Sequence, residues 1–370
     1  AHAFEQAWDG PISGLVVTRY GYAQACDRIE IVEAAHPVPD EAGFLAARRI
    51  METVSGLSAD DLVVALISGG GSSLLPAPAP RLTLDDEQAI NRALLASGAP
   101  IAVMNLIRNQ FSTIKGGRLA KQCAPARVVT LVVSDVPGDD PAVVASGPTI
   151  PLAGDRALAR QYVDLYGIAL PPQAQTLLAG DENLRPSADD PVFARNSVRT
   201  IASAALSLEA AAEQARRQGM AAAILSDSIE GESRDVAQVH AAIAKEVLAR
   251  NRPFAKPVVL LSGGETTVTL RGKGRGGRNA EFLLAMAIAI DGTKGITALA
   301  ADTDGIDGSE DNAGAFVDGT TANRLRRAGV DPLAALTNND AYSAFQAIGD
   351  LLVTGPTGTN VNDFRAILIR

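Results

Sequence analysis

The chain has 370 residues, of which 47% are apolar and 20% are charged. This composition excludes a disordered chain and allows about two or three domains of ordinary size. Thirty-three basic residues against 42 acidic ones leave a net charge of −9. That balance argues against a general nucleic-acid binder, which needs a basic surface, but it permits a local basic pocket for a small anion.

Cysteine use and hydropathy indicate the compartment. The two cysteines, Cys26 and Cys123, are too few for a disulfide framework and indicate reduced thiols. We find no signal peptide and no apolar run of the roughly 18 residues that a membrane span needs. These features predict a cytoplasmic protein with no membrane partner. Residues 1–8 read as the interior of a helix, so the sequence is expected to begin inside an element.

Short apolar segments alternate with helical patterns in the first half of the chain. The patterns predict strands at 15–19, 62–67 and 128–133, and helices at 40–52 and 84–96. The run at 62–67 (LVVALI) is continuously apolar, as expected of a strand buried on both faces. Strands that alternate with helices predict right-handed βαβ units and a mostly parallel, Rossmann-like sheet.

A polar, Pro-rich stretch at 171–191 predicts a surface crossover, and we place a domain boundary after residue 190. The alternation then resumes with strands at 198–202, 221–226, 257–261, 266–270, 296–301, 351–354 and 366–369, and helices at 206–218, 234–250 and 279–290. The sequence therefore predicts two α/β domains, 1–190 and 191–370.

Glycine-rich and cationic segments follow the first predicted strands, where open α/β sheets bind their ligands. After the strand at 62–67 come Ser68, Gly69, Gly70, Gly71, Ser72 and Ser73. Three glycines let the backbone approach an anion, although a tight turn would also use them. Lys115 and Arg118 flank a Gly-Gly pair and suit a phosphate or carboxylate, unless they lie on a solvated helix face.

Three carboxylates, Asp135, Asp139 and Asp140, follow the predicted strand at 128–133. They repel one another unless a cation or a hydroxyl substrate lies between them, although a capped Pro-Gly turn would also accommodate them. Asp135 follows the strand most closely and is the candidate general base or metal ligand.

The segment 262–279 is the densest in glycines and cations. Lys273, Arg275 and Arg278 alternate with glycines, and Asn279 opens a predicted helix, so we expect a phosphate cradle at a helix N-terminus. The letters at 272–277 also match the GxGxxG dinucleotide fingerprint. We consider that match weak, because the preceding strand is predicted to be one arm of a hairpin and because the next strand does not end on an acid.

Acidic and polar residues follow the last strands. Asp302 and Asp304 belong to a segment that resembles part of a calcium loop but lacks its closing Glu. With Glu265, these carboxylates could hold Mg²⁺ against phosphates, and an Asp/Gly turn is the structural alternative. The segment 354–363 suits a polar substrate or an ordinary Gly-Pro turn. Three histidines, without HExxH, CxxC or GxSxG, argue against a zinc hydrolase or a catalytic triad.

Together these strings resemble the type-II glycerate 2-kinases, which have an N-terminal glycerate-kinase domain and a C-terminal MOFRL domain. The resemblance covers nearly the whole chain, from AHPVPDEAG through SGGGSSLLP, IKGGRLA, SDVPGDDPAVVASGPT, SGGETTVT, GKGRGGRNAE and ADTDGIDG to TGPTGTNVND. It implies phosphorylation of D-glycerate to 2-phosphoglycerate, with ATP and Mg²⁺. It also implies a cleft between two α/β domains, the second built on a mixed sheet.

The resemblance also implies roles for individual residues. The catalytic Asp of the family falls on Asp135, its active-site Arg on Arg278, and its glycine-serine loop on 69–72. Family members begin with a strand and a Gly-Lys segment that would precede Ala1. Many of them carry Lys-His where this chain has Asn109 and Gln110.

The expected partners are glycerate and a nucleotide, without nucleic acid, and a homodimer stays open. The family is also known as a hydroxypyruvate reductase of tartrate degradation, so an NAD(P)H-dependent reductase is the alternative. A sensor that binds its ligand without turnover is a third possibility.

Overall fold

The computed structural model describes residues 1–152, 154–180 and 186–370. The chain divides into two compact units, Ala1–Val133 with Asp140–Ile201, and Ser134–Asp139 with Ala202–Arg370. The first unit thus continues past residue 190, where the Pro-rich stretch suggested a boundary. The segment that carries Asp135 belongs to the second unit, although in the sequence it stands between two parts of the first unit. No helix in the described part of the chain is long and apolar enough to cross a membrane.

The elements follow the chain in two series. The strands are β1 (Gly14–Arg19), β2 (Ile29–Ala34), β3 (Leu62–Ile67), β4 (Arg127–Val133), β5 (Ser197–Ala202), β6 (Ala221–Glu232), β7 (Val258–Thr267), β8 (Ile296–Asp302), β9 (Gly314–Asp318), β10 (Leu351–Leu352) and β11 (Asp363–Ile369). The α-helices are α1 (His2–Ala7), α2 (Glu41–Thr53), α3 (Gly71–Leu74), α4 (Leu84–Ala96), α5 (Ile101–Arg108), α6 (Arg118–Gln122), α7 (Arg156–Leu165), α8 (Pro172–Ala179), α9 (Ala204–Arg217), α10 (Ser233–Arg250), α11 (Arg278–Ala289), α12 (Thr321–Arg327), α13 (Pro332–Thr337) and α14 (Ala341–Ile348). Short 3₁₀ helices lie at Asn109–Phe111, Val144–Ser146 and Pro191–Phe193.

The first unit contains two small sheets, with strand orders β1-β2 and β3-β4-β5. The pairs β1/β2 and β3/β4 are parallel, which confirms the parallel architecture expected of this half. The expectation that β3 is buried on both faces is wrong, since Leu62 and Leu66 are exposed. The reason is topological, because β3 lies at the edge of its sheet, where an apolar run is not covered on both sides.

The second unit is built on one mixed sheet with strand order β10-β9-β8-β11-β7-β6. Only β6 and β7 are parallel neighbours, and β11 runs antiparallel to both β7 and β8. The predicted mixed sheet is confirmed. The separate strand predicted at 266–270 is wrong, because β7 continues without a break to Thr267 along the extended partner strand β6. No hairpin therefore precedes the glycine-rich segment.

Local sequence signals placed several helices correctly. The Asp40 side chain accepts a hydrogen bond from Gly43 N at 3.0 Å and so caps α2. Thr83 and Asp86 form a capping box at the start of α4, whose bounds agree with the pattern. The stretch at 171–191 is not only a crossover, since it contains α8, which buries Leu178. The rest of that prediction at 181–185 lies outside the described residues.

The helix α11 is the centre of the core of the second unit. Phe282, Leu283, Leu284 and Met286 are all fully buried, so this helix is apolar on every side. Burial of each such side chain contributes about 1.5–3 kcal/mol, which fixes the helix against the sheet. A rigid α11 in turn fixes the position of its first residue, Arg278.

Candidate active site

Three carboxylates meet at one end of the sheet of the second unit. Glu265 lies near the end of β7, Asp302 ends β8, and Asp363 begins β11. Because β11 runs antiparallel between the other two strands, Asp363 lies opposite Gly264 on one side and Asp302 on the other. The topology therefore brings together residues that are far apart in the sequence.

Arg278 contacts all three of these carboxylates. Its Nη1 donates to Glu265 Oε1 at 2.9 Å, its Nη2 to Asp302 Oδ2 at 2.7 Å, and its Nε to Asp363 Oδ1 at 2.7 Å. The Arg278 side chain is 21% exposed, so one edge of the cluster faces solvent. The structure thus joins the predicted catalytic Arg to two predicted metal ligands, and adds Asp363. The sequence offered Asp363 only as one polar residue of the 354–363 segment.

The cluster shifts the pKa values of its members. Burial lowers the pKa of Arg278, but the charges of Asp363 and Asp302 outweigh burial and hold it above its ordinary value. Burial raises the pKa of Asp302 to about 7, against the opposing effect of Arg278. Arg278 is therefore a fixed cation, and Asp302 is the carboxyl group that titrates near neutral pH.

A second set of buried side chains holds Asp363 in place. Its Oδ2 accepts from Arg365 Nη2 at 2.5 Å, and its Oδ1 accepts from Asn279 Nδ2 at 2.8 Å. Arg365 and Asn279 are both fully buried. The sequence predicted Asn279 to bind phosphate. In this geometry the Asn279 side chain donates to Asp363, the carboxylate that orients Arg278.

The N-terminus of α11 is capped from within the protein. Asp307 Oδ1 accepts from Asn279 N at 2.9 Å, and Asp307 Oδ2 accepts from Ala280 N at 2.8 Å. Burial raises the pKa of Asp307 to about 6, although these backbone donors oppose the shift. The amide groups that were expected to hold a phosphate therefore already bind a carboxylate.

The glycine-rich loop at 272–277 is a docked segment rather than an open cradle. The amide groups of Lys273, Gly274 and Arg275 donate to atoms of the chain at 338–340, over 2.9–3.1 Å. A Cβ at Gly274 would lie 2.3 Å from the Cβ of Asp340, so the close contact requires glycine. The amide groups of 273–275 are therefore not available to hold a phosphate, although the loop side chains can still meet a ligand.

The loop side chains differ in how free they are. Lys273 is exposed. The Arg275 guanidinium lies 4.6 Å from the centre of the Tyr342 ring and pairs with Glu310 at 3.3 Å. Lys273 is thus the loop cation better placed to contact a phosphate in solution.

The structure corrects both reasons for doubting the dinucleotide match. No hairpin precedes the loop, and β8 does end on an acid, Asp302. Two other observations replace them. The amides of 273–275 are bonded to 338–340, and Asp302 is bonded to Arg278, so these groups are not free for a dinucleotide.

Asp135 belongs to the same unit as the Arg278 cluster. Asn362 Nδ2 donates to the Asp135 carbonyl oxygen at 2.7 Å, which ties Asp135 to the residue before β11. Burial raises the pKa of the Asp135 carboxyl group, its own amide lowers it, and the nearby charge of Glu265 raises it further. No other described residue donates a hydrogen bond to this carboxylate. Asp135 is therefore a desolvated base beside the cluster and open to a ligand.

Three glycine-rich strings meet in the first unit. Ser72 Oγ lies 2.6 Å from Ser146 Oγ, and Gly116 N donates to the Ser146 carbonyl oxygen at 3.0 Å. Gly117 N donates to the Gly147 carbonyl oxygen at 2.8 Å. The structure thus joins the loop at 68–73 to the Lys115–Arg118 segment through residues 146–147.

The loop at 68–73 has two positions that favour glycine: Gly70, and Gly71, where a Cβ would lie 2.6 Å from the Cβ of Ala145. Gly70 has a φ of 78°, and a Cβ there would lie 3.1 Å from the ring of His36. Gly69 and Ser68 lead from β3 into this turn, and Gly71 begins α3. Ser73 Oγ donates to the Gly70 carbonyl oxygen at 3.0 Å. The roles predicted for these residues stay predictions.

Lys115 and Arg118 are held by protein partners. Lys115 is 1% exposed, and its Nζ pairs with Glu87 Oε1 at 2.8 Å. Arg118 Nη1 donates to the carbonyl oxygens of Asn109 and Lys115, each at 2.9 Å. Lys115 therefore has a structural partner in place of the anion that the sequence suggested.

The three predicted metal ligands do not form a compact group. Within the described ranges, the one group of three possible ligands whose atoms lie within 4.8 Å of one another is His2, Glu5 and Cys26. Asp302 is bonded to Arg278, while Glu265 Oε2 and Asp304 Oδ2 accept no hydrogen bond from a described residue. These two oxygens are therefore the ones left for a cation.

Comparison with known proteins identifies relatives over the whole chain. Residues 1–179 match the family described as a domain of unknown function, DUF4147, and residues 258–363 match the MOFRL family. A protein of Agrobacterium vitis named "Putative hydroxypyruvate reductase" is 54% identical, covering 100% of this chain and 96% of its own length. A Thermotoga maritima protein named D-glycerate 2-kinase is 42% identical, covering 95% and 82%.

Solved structures agree with these matches. The crystal structure of a Thermotoga maritima glycerate kinase has a TM-score of 0.89 and 41% identity, covering 97% of this chain and 85% of its own. A Pyrococcus horikoshii structure has a TM-score of 0.85 and 38% identity, covering 100% and 85%. The solved structures therefore support both the α/β fold class and the family indicated by the relatives.

Proposed function

The chain belongs to the type-II glycerate kinase family of DUF4147 and MOFRL proteins, and we propose that it phosphorylates D-glycerate at its 2-hydroxyl, using ATP and Mg²⁺. Relatives at 42%, 40% and 35% identity carry the name glycerate kinase or glycerate 2-kinase. The observation that carries the proposal is the pairing of a fixed cation, Arg278, with a desolvated base, Asp135, in one unit.

Asp135 would bind the substrate hydroxyl and take its proton. A general base works best when its pKa lies near the working pH, and burial moves the pKa of Asp135 in that direction. Asn362 holds the Asp135 backbone, so the carboxylate is presented from a fixed position. This arrangement suits an alcohol acceptor.

Arg278 would stabilise the charge on the transferring phosphoryl group. Phosphoryl transfer depends mainly on positioning and on electrostatic stabilisation of the phosphoryl oxygens. Glu265, Asp302 and Asp363 fix the orientation of the guanidinium before a substrate arrives. The exposed Lys273 would contact the nucleotide phosphates from the adjacent loop.

The charge balance of the cluster supports a divalent cation. Arg278 and Arg365 contribute two positive charges, and the three carboxylates in contact with them contribute three negative charges when ionised. With Asp302 ionised, the net charge of this set is −1, and a polyphosphate would meet repulsion unless a cation joined it. Glu265 and Asp304 are the acids that would hold Mg²⁺, which usually takes one or two protein carboxylates together with phosphate oxygens. Bound there, the ion would neutralise phosphate charge.

The test is a product assay with the purified protein. One sample contains D-glycerate, ATP and MgCl₂, and phosphorus NMR distinguishes 2-phosphoglycerate from 3-phosphoglycerate. We expect 2-phosphoglycerate, its absence when MgCl₂ is replaced by EDTA, and a rate at least about 100-fold lower in Asp135→Asn. The exposed Asp235, changed to Asn, is the matched control for the same substitution in the same unit.

A parallel sample contains hydroxypyruvate and NADH. Oxidation of NADH without any phosphoglycerate would overturn the kinase proposal and favour the name carried by the Agrobacterium vitis relative. Formation of 3-phosphoglycerate alone would retain the reaction class but contradict the 2-position.

A further inference from the structure

Arg108, the last residue of α5, is a cation of the first unit without a carboxylate partner in the described part of the chain. Its Nε donates to Asn91 Oδ1 at 2.8 Å, and its Nη1 donates to Asn105 Oδ1 at 2.7 Å. Both partners are neutral amides, and three of the five guanidinium N–H donors stay available. Burial lowers the pKa of Arg108, and Glu87 opposes that shift. Arg108 is thus a desolvated cation held in place by amides.

The nearby acid does not neutralise Arg108. Glu87 Oε1 pairs with Lys115 Nζ at 2.8 Å, and both side chains are less than 5% exposed. That pair is neutral by itself, so no carboxylate among the described residues contacts Arg108 to balance its charge. A buried charge without a counter-ion is costly, and proteins normally pair such a group or use it to bind a ligand.

Hydroxyl groups connect Arg108 to the glycine-serine loop. Ser146 Oγ donates to Asn105 Oδ1 at 3.2 Å, the same oxygen that accepts from Arg108. Ser146 has one hydroxyl proton, so Ser72 is the donor in the 2.6 Å contact between the two hydroxyls. If Ser146 turns its proton to Ser72 instead, Asn105 Oδ1 still accepts from Arg108, and the Ser72 proton is then available to an anion beside the loop.

An unpaired buried amide lies at the same place. Asn109 is fully buried, and among the described residues neither its Nδ2 nor its Oδ1 has a hydrogen-bond partner. The Nδ2 atom lies 3.4 Å from where a Cβ of Gly116 would be, and Gly116 N is bonded to Ser146. Leaving such a group unsatisfied is costly, so a missing partner explains it.

We propose that Arg108, Ser72 and Asn109 form an oxyanion subsite of the first unit, which binds a carboxylate or phosphate group of a small ligand. The guanidinium offers paired N–H groups that match either oxyanion, and the hydroxyl and amide supply further donors. Only the identity of the ligand rests on the proposed function, in which it is either the glycerate carboxylate or a phosphate of the nucleotide.

The test is calorimetric binding of D-glycerate alone and of ATP alone to the full chain and to Arg108→Gln. We expect at least a 10-fold loss of affinity for one of the two ligands in the variant. A loss for D-glycerate identifies a carboxylate subsite, and a loss for ATP identifies a phosphate subsite. Arg92→Gln is the matched control, because Arg92 neighbours Asn91 on α4 but is exposed.

A second variant keeps the test decisive if Arg108→Gln does not fold. Arg108→Lys keeps the charge but loses the paired N–H groups, and we expect it to fold and to bind the same ligand several-fold more weakly. Unchanged affinities for both ligands in a folded variant would overturn the subsite. If phosphoglycerate is never formed but binding still depends on Arg108, the proposed function fails and the subsite stands.

Discussion

Asp363 Oδ1 accepts a hydrogen bond from Arg278 Nε at 2.7 Å, and this ion pair joins the first residue of β11 to the first residue of α11. Asp363 is fully buried and also contacts the buried Arg365. The orientation of the candidate catalytic Arg therefore depends on a carboxylate that a ligand cannot reach. When the partners of Arg278 are changed one at a time, the loss of stability and the loss of activity should therefore not run in parallel.

Asp363→Asn and Glu265→Gln should differ in how strongly they destabilise the protein. Asp363→Asn leaves Arg365 buried without a counter-ion, so we expect a loss of about 3–5 kcal/mol in the free energy of unfolding. Glu265 is 48% exposed, and Glu265→Gln should change that free energy by less than about 1 kcal/mol. Urea denaturation measures both, and equal losses would contradict the view that Asp363 is the structural partner of Arg278.

Arg278→Lys should lower kcat by at least about 100-fold in a folded protein. Lysine keeps the positive charge among Glu265, Asp302 and Asp363, so the carboxylates stay compensated. A single ammonium cannot reproduce the planar geometry that contacts all three and also meets a phosphoryl group. Steady-state kinetics with a circular dichroism check measures the effect. A near-normal kcat would remove Arg278 from the proposed mechanism.

The pH profile should identify Asp135 as the base. Its carboxylate is needed in the ionised form, so kcat/KM should fall as the pH drops through its pKa, which burial raises above the ordinary value of 3.8. Glu265 also raises this pKa, so Glu265→Gln should move the acidic limb to lower pH. The measurement is the pH at the midpoint of the acidic limb, not the maximal value of kcat/KM. An unmoved limb would contradict the proximity of the two carboxylates.

Asp307→Asn should alter the pH dependence of stability. The pKa of Asp307 is raised to about 6 from 3.8 in the folded protein, so the protonated carboxyl group stabilises the fold at low pH. That contribution, about 3 kcal/mol, is lost as the pH rises from about 4 through about 6. Asn cannot ionise and can keep one cap bond to α11. The wild-type protein should therefore lose stability relative to the variant across this range, measured by chemical denaturation at each pH. A constant difference would show that Asp307 does not titrate there.

Local patterns predicted the elements well, because caps and periodicity act within a few residues. The helix α4 and the strand β3 have the bounds that their patterns indicated. Long-range effects were missed for the same reason. Periodicity does not reveal that β3 is an edge strand or that β7 runs on to Thr267 along β6.

The sequence alone determined the chemical groups of the candidate site: Asp135, the Arg278 loop and the acids Glu265, Asp302 and Asp304 were all evident from residue type and from their place after strands. Only the tertiary structure decided which of these groups are free. In the folded protein the amides of 273–275 are bonded to 338–340, and Asp307 caps α11. Lys115 is buried against Glu87, and Asp363 contacts Arg278. The physical reason is that a hydrogen-bonding group has a limited number of partners, and which partner it meets depends on contacts between distant parts of the chain.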